Sequence, residues 1–468
     1  MATAASKDWW VQLRRAWLSR LRLLMFGKPL ATSVQLHERL PVYLALPVFA
    51  SDAISSMAYG PQEILIVLAA LPLAAGGTAV RYLMWIALPI AALMLIVATS
   101  YRRAVHLYPT SGGSYTVAKS NLGAFVGLIA ASALLIDYVM TVAVSISSGV
   151  DALTSAYHVL RPYNVLLACS LVAFMAWVNL RGTKESGWWF SLPLYLFTFA
   201  LGTMLLFILY RYLTHSITPL PPPKNVIEPR VSHVAGLLLA FGILHAFSNG
   251  CSSMTGVEAV SNGVSAFRPP EARNAAKTLG LLVTIMVCLF LGTCLGAHLY
   301  HALPVDPEKG GETVLSQVAR ATFGRTGFYF LIQYATLAIL LVAANTSFAD
   351  FPRLLAFVAR DDFAPKAFLS LGDRLVYNRG ITALALICGA LILAFKANVN
   401  KLIGLYAVGV FLCFTLSQLG MARKLSTARE KNWARATLLN IVGATATGTV
   451  TVVVLVTKFF HGAWIVSI

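Results

Sequence analysis

Residues 51–57 read Ser-Asp-Ala-Ile-Ser-Ser-Met, and 197 positions later residues 248–254 read Ser-Asn-Gly-Cys-Ser-Ser-Met. Each polar heptad lies in the middle of a long apolar stretch. A carboxylate and a set of hydroxyls at membrane depth suit one kind of chemistry, the replacement of water around a small cation. Asp52 falls about ten residues into its stretch, hence about 15 Å deep at 1.5 Å per residue. An ionised carboxylate there costs about 2.5–3.5 kcal/mol even on the lenient insertion scale, so it calls for a cation or a proton. Tyr59 is seven residues on and shares that face if the helix is continuous. Ser51, Ser55, Ser56 and Gly60-Pro61 argue instead for local unwinding, which frees carbonyl oxygens for a hard cation. The competing reading is a structural Asp52 bonded to nearby backbone.

The second heptad runs on into Thr255-Gly-Val-Glu258. A continuous helix presents Thr255 and Glu258, three apart, on one face, although Gly250, Gly256 and Gly263 signal a broken or closely packed one. Desolvation raises the pKa of a buried glutamate and an approaching cation lowers it, so Glu258 could exchange a proton as a cation comes and goes. A glutamate that merely ties two helices together is the alternative. In the third apolar stretch Tyr138 and Ser145 share a face, while Asp137 points about 100° away. We expect one of these faces to meet Asp52 and favour the hydroxyl face, which adds no further charge. Asn345, Thr346 and Ser347 are weaker candidates, explained equally well by helix packing.

The elements that must position these groups are apolar helices. The chain has 468 residues, 58% hydrophobic and 12% charged, with mean hydropathy +0.74, which describes an all-α polytopic membrane protein. Complete spans are predicted over about 42–71, 80–100, 122–157, 163–180, 186–211, 234–264, 275–300, 327–350, 380–396, 400–421 and 436–457, each long enough to cross about 30 Å of hydrocarbon. A twelfth is expected to begin at Lys458 and to be cut short. Paired, interrupted helices at matching positions in two halves predict an inverted repeat, with the paired heptads lining a substrate site. Five spans per half force the second half to insert upside down, which supports the same reading. The expected division is 1–40, 41–211 as first repeat, a linker 212–233 containing Pro221-Pro-Pro223, 234–421 as second repeat, and 422–468. Residues 301–325 are expected to form a solvated loop.

The net charge of +18 raises the question of nucleic acid, but its distribution answers it. With the N-terminus in the cytoplasm, 25 of the 36 Lys and Arg fall on inner segments, as the positive-inside rule requires. Residues 8–30 set Trp9, Trp10 and Trp17 among Arg14, Arg15, Arg20, Arg22 and Lys28, a pattern for a helix lying on the inner leaflet of the plasma membrane. All six cysteines fall in apolar spans and read as small hydrophobes. No P-loop, HExxH or GxSxG is present, which disfavours an enzyme or an ATP-driven pump; no cofactor is expected.

Several segments together resemble the amino acid–polyamine–organocation superfamily of secondary transporters. They are Tyr108-Pro-Thr-Ser-Gly-Gly-Ser-Tyr115, Asn179-Leu-Arg-Gly-Thr-Lys-Glu-Ser-Gly187, Gly256-Val-Glu258, Phe351-Pro-Arg353 and Ala359-Arg-Asp361. The resemblance covers about residues 40–468. It implies a five-plus-five inverted-repeat (LeuT-like) core with discontinuous first and sixth helices and two peripheral helices. Within the superfamily, Ser51-Asp-Ala-Ile-Ser-Ser56 and Ile136-Asp-Tyr-Val-Met-Thr-Val-Ala-Val-Ser145 look like the Kim/Kup-type potassium–proton symporters. That resemblance implies K⁺ ligands at Asp52, Tyr59, Tyr138, Ser145, Thr255 and Tyr406, proton coupling at Glu258, and a homodimer. Amino-acid carriers use a glycine-rich break whose N–H groups hold a carboxylate, whereas Asp52 would repel one. Import of K⁺ with H⁺ is therefore the expected activity. A proton-coupled amino-acid or amine permease of the same fold and a membrane sensor that binds without transport are the alternatives.

Overall fold

The structure, a computed structural model, describes residues 39–71, 78–108, 113–182, 187–222, 227, 236–305, 311–372, 376–429 and 433–458. The basic helix expected near the N-terminus and the segment after Lys458 lie outside them. Each of the eleven expected complete spans corresponds to helix. They are α1 (Val42–Ser55) with α2 (Gly60–Ala69), α3 (Thr78–Leu107), α5 (Ala124–Ala156), α6 (Asn164–Leu180), α7 (Gly187–Leu213), α8 (Leu237–Gly250) with α9 (Ala259–Asn262), α10 (Glu271–Leu299), α12 (Gly327–Arg360), α13 (Asn378–Ala394), α14 (Val399–Ala428) and α15 (Trp433–Lys458). Two further helices, α4 (Ser114–Leu122) and α11 (Val314–Phe323), lie between spans. Among the described residues nine helices are long and apolar enough to cross a membrane; α13 is shorter, and the α8–α9 stretch is broken.

Helix α5 is the central post. Residues 137–150 are buried all round the helix, with α12 and α14 packed along it. Small side chains allow that approach, as expected where lipid removes the hydrophobic drive between helices: a Cβ on Gly149 would meet Leu337 at 3.0 Å. Helices α3 and α10 pack together, and so do α14 and α15.

The expected loop 301–325 is only partly one. Thr313 caps α11, its hydroxyl accepting from the Ser316 amide at 3.2 Å, and Val314, Leu315, Val318 and Ala319 are buried. Thr-Val-Leu-Ser carries the N-cap signal, but the charges at 306–312 masked it. The Val314 amide also donates to Gln62 at 2.9 Å, fastening this short helix to α2.

Helix α4 is held at both ends. Ser114 at its start reaches Glu258, while Tyr115 and Lys119 both donate to Asp361 at the end of α12, Lys119 at 2.6 Å. The Lys119 hydrogen bond, then that of Tyr115, holds the Asp361 carboxyl below its usual range. A depressed carboxyl stabilises the fold above its unfolded pKa and loses that contribution as the pH falls through the folded one. With both side chains about one-third exposed, Asp361→Asn is expected to cost about 1 kcal/mol. Thermal unfolding in detergent should show that difference constant above about pH 5 and shrinking below about pH 4; a difference growing toward acid would refute the assignment.

Candidate functional site

The helix carrying Asp52 breaks one turn after it. α1 runs to Ser55, Ser56–Ala58 tighten to a 3-10 turn, and α2 restarts at Gly60 with Pro61 in its first turn. The hydroxyls of Ser55 and Ser56 donate to the Asp52 carbonyl at 2.7 and 3.3 Å. Such bonds compete with the helical ladder and favour its interruption. Ser51 is still inside α1 and donates back to the Pro47 carbonyl, so the break lies at 56–59, later than the heptad alone suggested.

The second break is sharper. After α8 and a 3-10 turn at Cys251–Met254, Thr255 is extended (φ −63°, ψ 155°) and Gly256 is left-handed (φ +77°). This geometry overturns the expectation that Thr255 and Glu258 share a helical face. The chain turns between them, and they serve two different clusters.

Thr255 meets the first break. Ser56 Oγ lies 3.0 Å from Thr255 Oγ1 and 2.9 Å from Tyr59 Oη, and all three residues are buried. Asp52 sits against the turn itself: a Cβ on Gly256 would lie 2.7 Å from Asp52 Oδ2 and 2.7 Å from the Ala53 nitrogen. Asp52 is 6% exposed, and its other carboxylate oxygen, Oδ1, has no hydrogen-bond partner among the described residues. Few buried charges are left so, because the desolvation cost goes uncompensated.

Glu258 faces the other way. Its Oε2 accepts from Ser114 at 3.3 Å and Tyr101 at 3.4 Å, at the long end of hydrogen bonding, and those two hydroxyls are 3.0 Å apart. Oε1 is buried without a partner among the described residues. Tyr138 accepts at 3.2 Å from Asn262, four residues after Glu258. Ser145 is buried two turns further along α5. Tyr406 falls in α14, where its side chain lies outside those described. Asn345 pairs with Asn179 at 2.7 Å, the packing role left open for it.

Ser56, expected only as a mark of local unwinding, joins the two breaks. Three groups were not singled out as site residues by sequence: Tyr101, Ser114 and Asn262, which reach residues that were. Ser114 stood inside the Gly-Gly-Ser-Tyr segment, which was the available signal. Asp137, on the α5 face not favoured above, is 3% exposed with Oδ1 unpartnered among the described residues, and it lies within interaction range of both Glu258 and Asp52. The middle of α5 is enclosed on all sides, so residues 100° apart both face protein.

Comparison with known proteins follows the same lines. The profile of the family described as amino acid permease matches residues 49–464. The chain is 42% identical over 443 residues to the potassium transporter KimA of Bacillus subtilis (strain 168), covering 94% of this chain and 70% of that protein. It is 23% identical over 278 residues to the low-affinity putrescine importer PlaP of Escherichia coli (strain K12), covering 59% of this chain and 58% of that one. Matched across nearly its whole length by that profile, and built of helices long and apolar enough to pass the bilayer several times, this multi-pass membrane protein belongs to the amino acid permease family of the amino acid–polyamine–organocation superfamily.

Proposed function

We propose that the chain is a secondary active transporter that imports K⁺ together with H⁺ by alternating access. The observation that carries this reading is the Asp52 carboxylate, buried, with one oxygen unpartnered among the described residues, beside the hydroxyl chain Tyr59–Ser56–Thr255. A bare monovalent cation satisfies that oxygen and takes the hydroxyls as substitutes for its water. Tyr138 and Ser145 on α5, and Tyr406 on α14, complete the proposed ligand set. The potassium-transporter relative supports the same substrate.

In this reading Glu258 carries the proton. Tyr101 and Ser114 can donate to its ionised form, and Asp52 lies within interaction range, so a cation bound at Asp52 biases the proton on Glu258. Residues 41–211 and 234–421 are the proposed inverted repeats, with the N-terminus in the cytoplasm of a plasma-membrane protein. Each positive charge entering gains about 2.3 kcal/mol per 100 mV, so a coupled proton roughly doubles the electrical drive.

The putrescine importer among the relatives favours a second reading, an amine carrier. Against it, hydroxyls 3 Å apart across the two breaks leave little space beside Asp52 for a carbon chain. Rb⁺ uptake in cells deficient in K⁺ import separates the two. The parent protein should accumulate Rb⁺, lose that accumulation with a protonophore, and be insensitive to excess putrescine. Glu258→Gln should abolish the dependence on the proton gradient, either leaving slow equilibration or stopping transport. An inserted protein that takes up putrescine and no Rb⁺ would establish the amine reading instead.

A further inference from the structure

The end of the bundle that holds Gln62 and Glu63 contains a cavity of about 720 Å³, facing outside in the orientation proposed above. Its charged lining is Glu63, Asp151, Glu312, Arg161, Lys396 and Lys401. Lys396 and Lys401 are exposed at the rim, Arg161, Glu312 and Asp151 are half-buried, and Glu63 is buried. Asn400 donates to Glu63 at 2.7 Å, Arg320 holds Glu312 at 2.7 Å, and Arg161 donates to the Gly311 carbonyl while staying within interaction range of Asp151. A cleft whose carboxylates lie deeper than its ammonium groups draws a cation inward.

A narrow extension leads on from this cavity. It measures about 10 Å³ and shares Gln62, Asp151, Thr313 and Val399 with the larger space. That is close to the volume of one water-sized probe. Tyr59 and Ser148 also line it, so it lies between the residues of the cavity and Tyr59 of the hydroxyl chain at the first break. The Ser148 hydroxyl is the informative group. It is 7% exposed and has no hydrogen-bond partner among the described residues. Thr141 and Ser147 on α5 are likewise buried without a partner among the described residues, but neither lines this space, and Thr154 and Ser155 both donate back to the Asp151 carbonyl. Along α5, Ser145, Ser148 and Asp151 follow at intervals of three, each the surface neighbour of the next. The helix therefore carries oxygen donors from Tyr138 to Asp151, about 20 Å at 1.5 Å per residue.

We propose that Asp151 and Ser148 form a second, staging site for a monovalent metal cation, between the open cavity and the site at Asp52. The proposal rests on the K⁺ reading and deepens it. The Asp151 carboxylate supplies the attraction and the Ser148 hydroxyl one inner ligand, while water from the cavity completes the shell. A cation held there is partly dehydrated before it reaches Tyr59. A single half-buried carboxylate binds weakly enough to release it, as conduction through successive sites requires.

The test is the dependence of Rb⁺ uptake on external Rb⁺ in K⁺-import-deficient cells, with surface expression measured for each variant. Asp151→Asn should raise the half-saturating concentration about fivefold to twentyfold and leave the maximal rate within about twofold. Ser148→Ala, a smaller change that carries the test if Asp151→Asn is poorly inserted, should raise it about twofold to fivefold. Asp151→Glu should restore most of the affinity. Choline chloride added outside should slow uptake at low Rb⁺ in the parent and much less in Asp151→Asn, since screening acts on the charge that was removed. Unchanged half-saturation in Asp151→Asn or in Ser148→Ala, at parental expression, overturns the staging site. So does a fall in maximal rate with no change in half-saturation, which marks a structural role. A parent protein that takes up no Rb⁺ overturns the K⁺ reading and the staging site together, whereas the other failures leave that reading standing.

Discussion

Asp52→Asn should reduce Rb⁺ uptake at low external concentration by about a hundredfold or more. Two unit charges 4 Å apart attract by about 4 kcal/mol at an effective dielectric near 20, and each 1.4 kcal/mol is a factor of ten. The amide oxygen of asparagine keeps part of the coordination, which trims a thousandfold loss toward a hundredfold. The fold should survive, because the replacement is isosteric and removes a buried charge whose Oδ1 has no partner among the described residues. Equal or raised thermal stability in detergent, together with lost uptake, is thus the expected pairing. Parental uptake by Asp52→Asn would end the proposed role of this residue.

The second large effect is expected at a position with no chemistry of its own. Gly256→Ala places a methyl group 2.7 Å from the Ala53 nitrogen and as close to Asp52 Oδ2, on a residue whose φ is +77°. The left-handed backbone alone costs a non-glycine residue about 1–2 kcal/mol. The backbone nitrogen of Ala53 cannot swing away as a flexible side chain could, so the total should exceed about 3 kcal/mol. Gly280→Ala is the control, because no atom of the described residues lies within 4 Å of the added one. Heating detergent-solubilised protein before size-exclusion chromatography should show a large loss for Gly256→Ala and little change for the control, with uptake following the same order. A Gly256→Ala protein as stable and active as its parent would show that the close packing of the two breaks is not needed.

The breaks themselves were readable as polar residues and glycines inside apolar stretches, because hydrocarbon tolerates such residues only where protein encloses them. What joins the breaks was not. Ser56 bridges Tyr59 and Thr255, residues from chain segments about two hundred positions apart, and one-dimensional spacing carries no such distance. The separation of Thr255 from Glu258 depends on the sign of a single φ. Glycine permits that sign without requiring it, so helical spacing gave the wrong partner for each. Asp137 escaped for another reason: a rule of faces assumes that a helix has an outside, and the middle of α5 has none. The helices of the eleven complete stretches could be read because length and hydropathy are local quantities, whereas the shape of the Asp151 cavity belongs to segments far apart in the chain.

The start of α1 and the end of the second broken helix are stitched together. Leu40 and Phe267 pair as a parallel bridge, with the Leu40 amide donating to Ala266 at 2.7 Å and the Arg268 amide to Leu40 at 3.0 Å. Arg39 binds Glu271 at 2.6 Å, and Phe49 stacks on Phe267 with ring centroids 5.4 Å apart. Swinging residues 42–55 alone would tear both backbone bonds, each worth about 0.5–1.5 kcal/mol net, and unstack two rings, for about 0.5–1.5 kcal/mol more. Mechanically the two half-helices are one lever with two arms: a push on either arm drags the other, and the Asp52 and Thr255 ends travel as a pair.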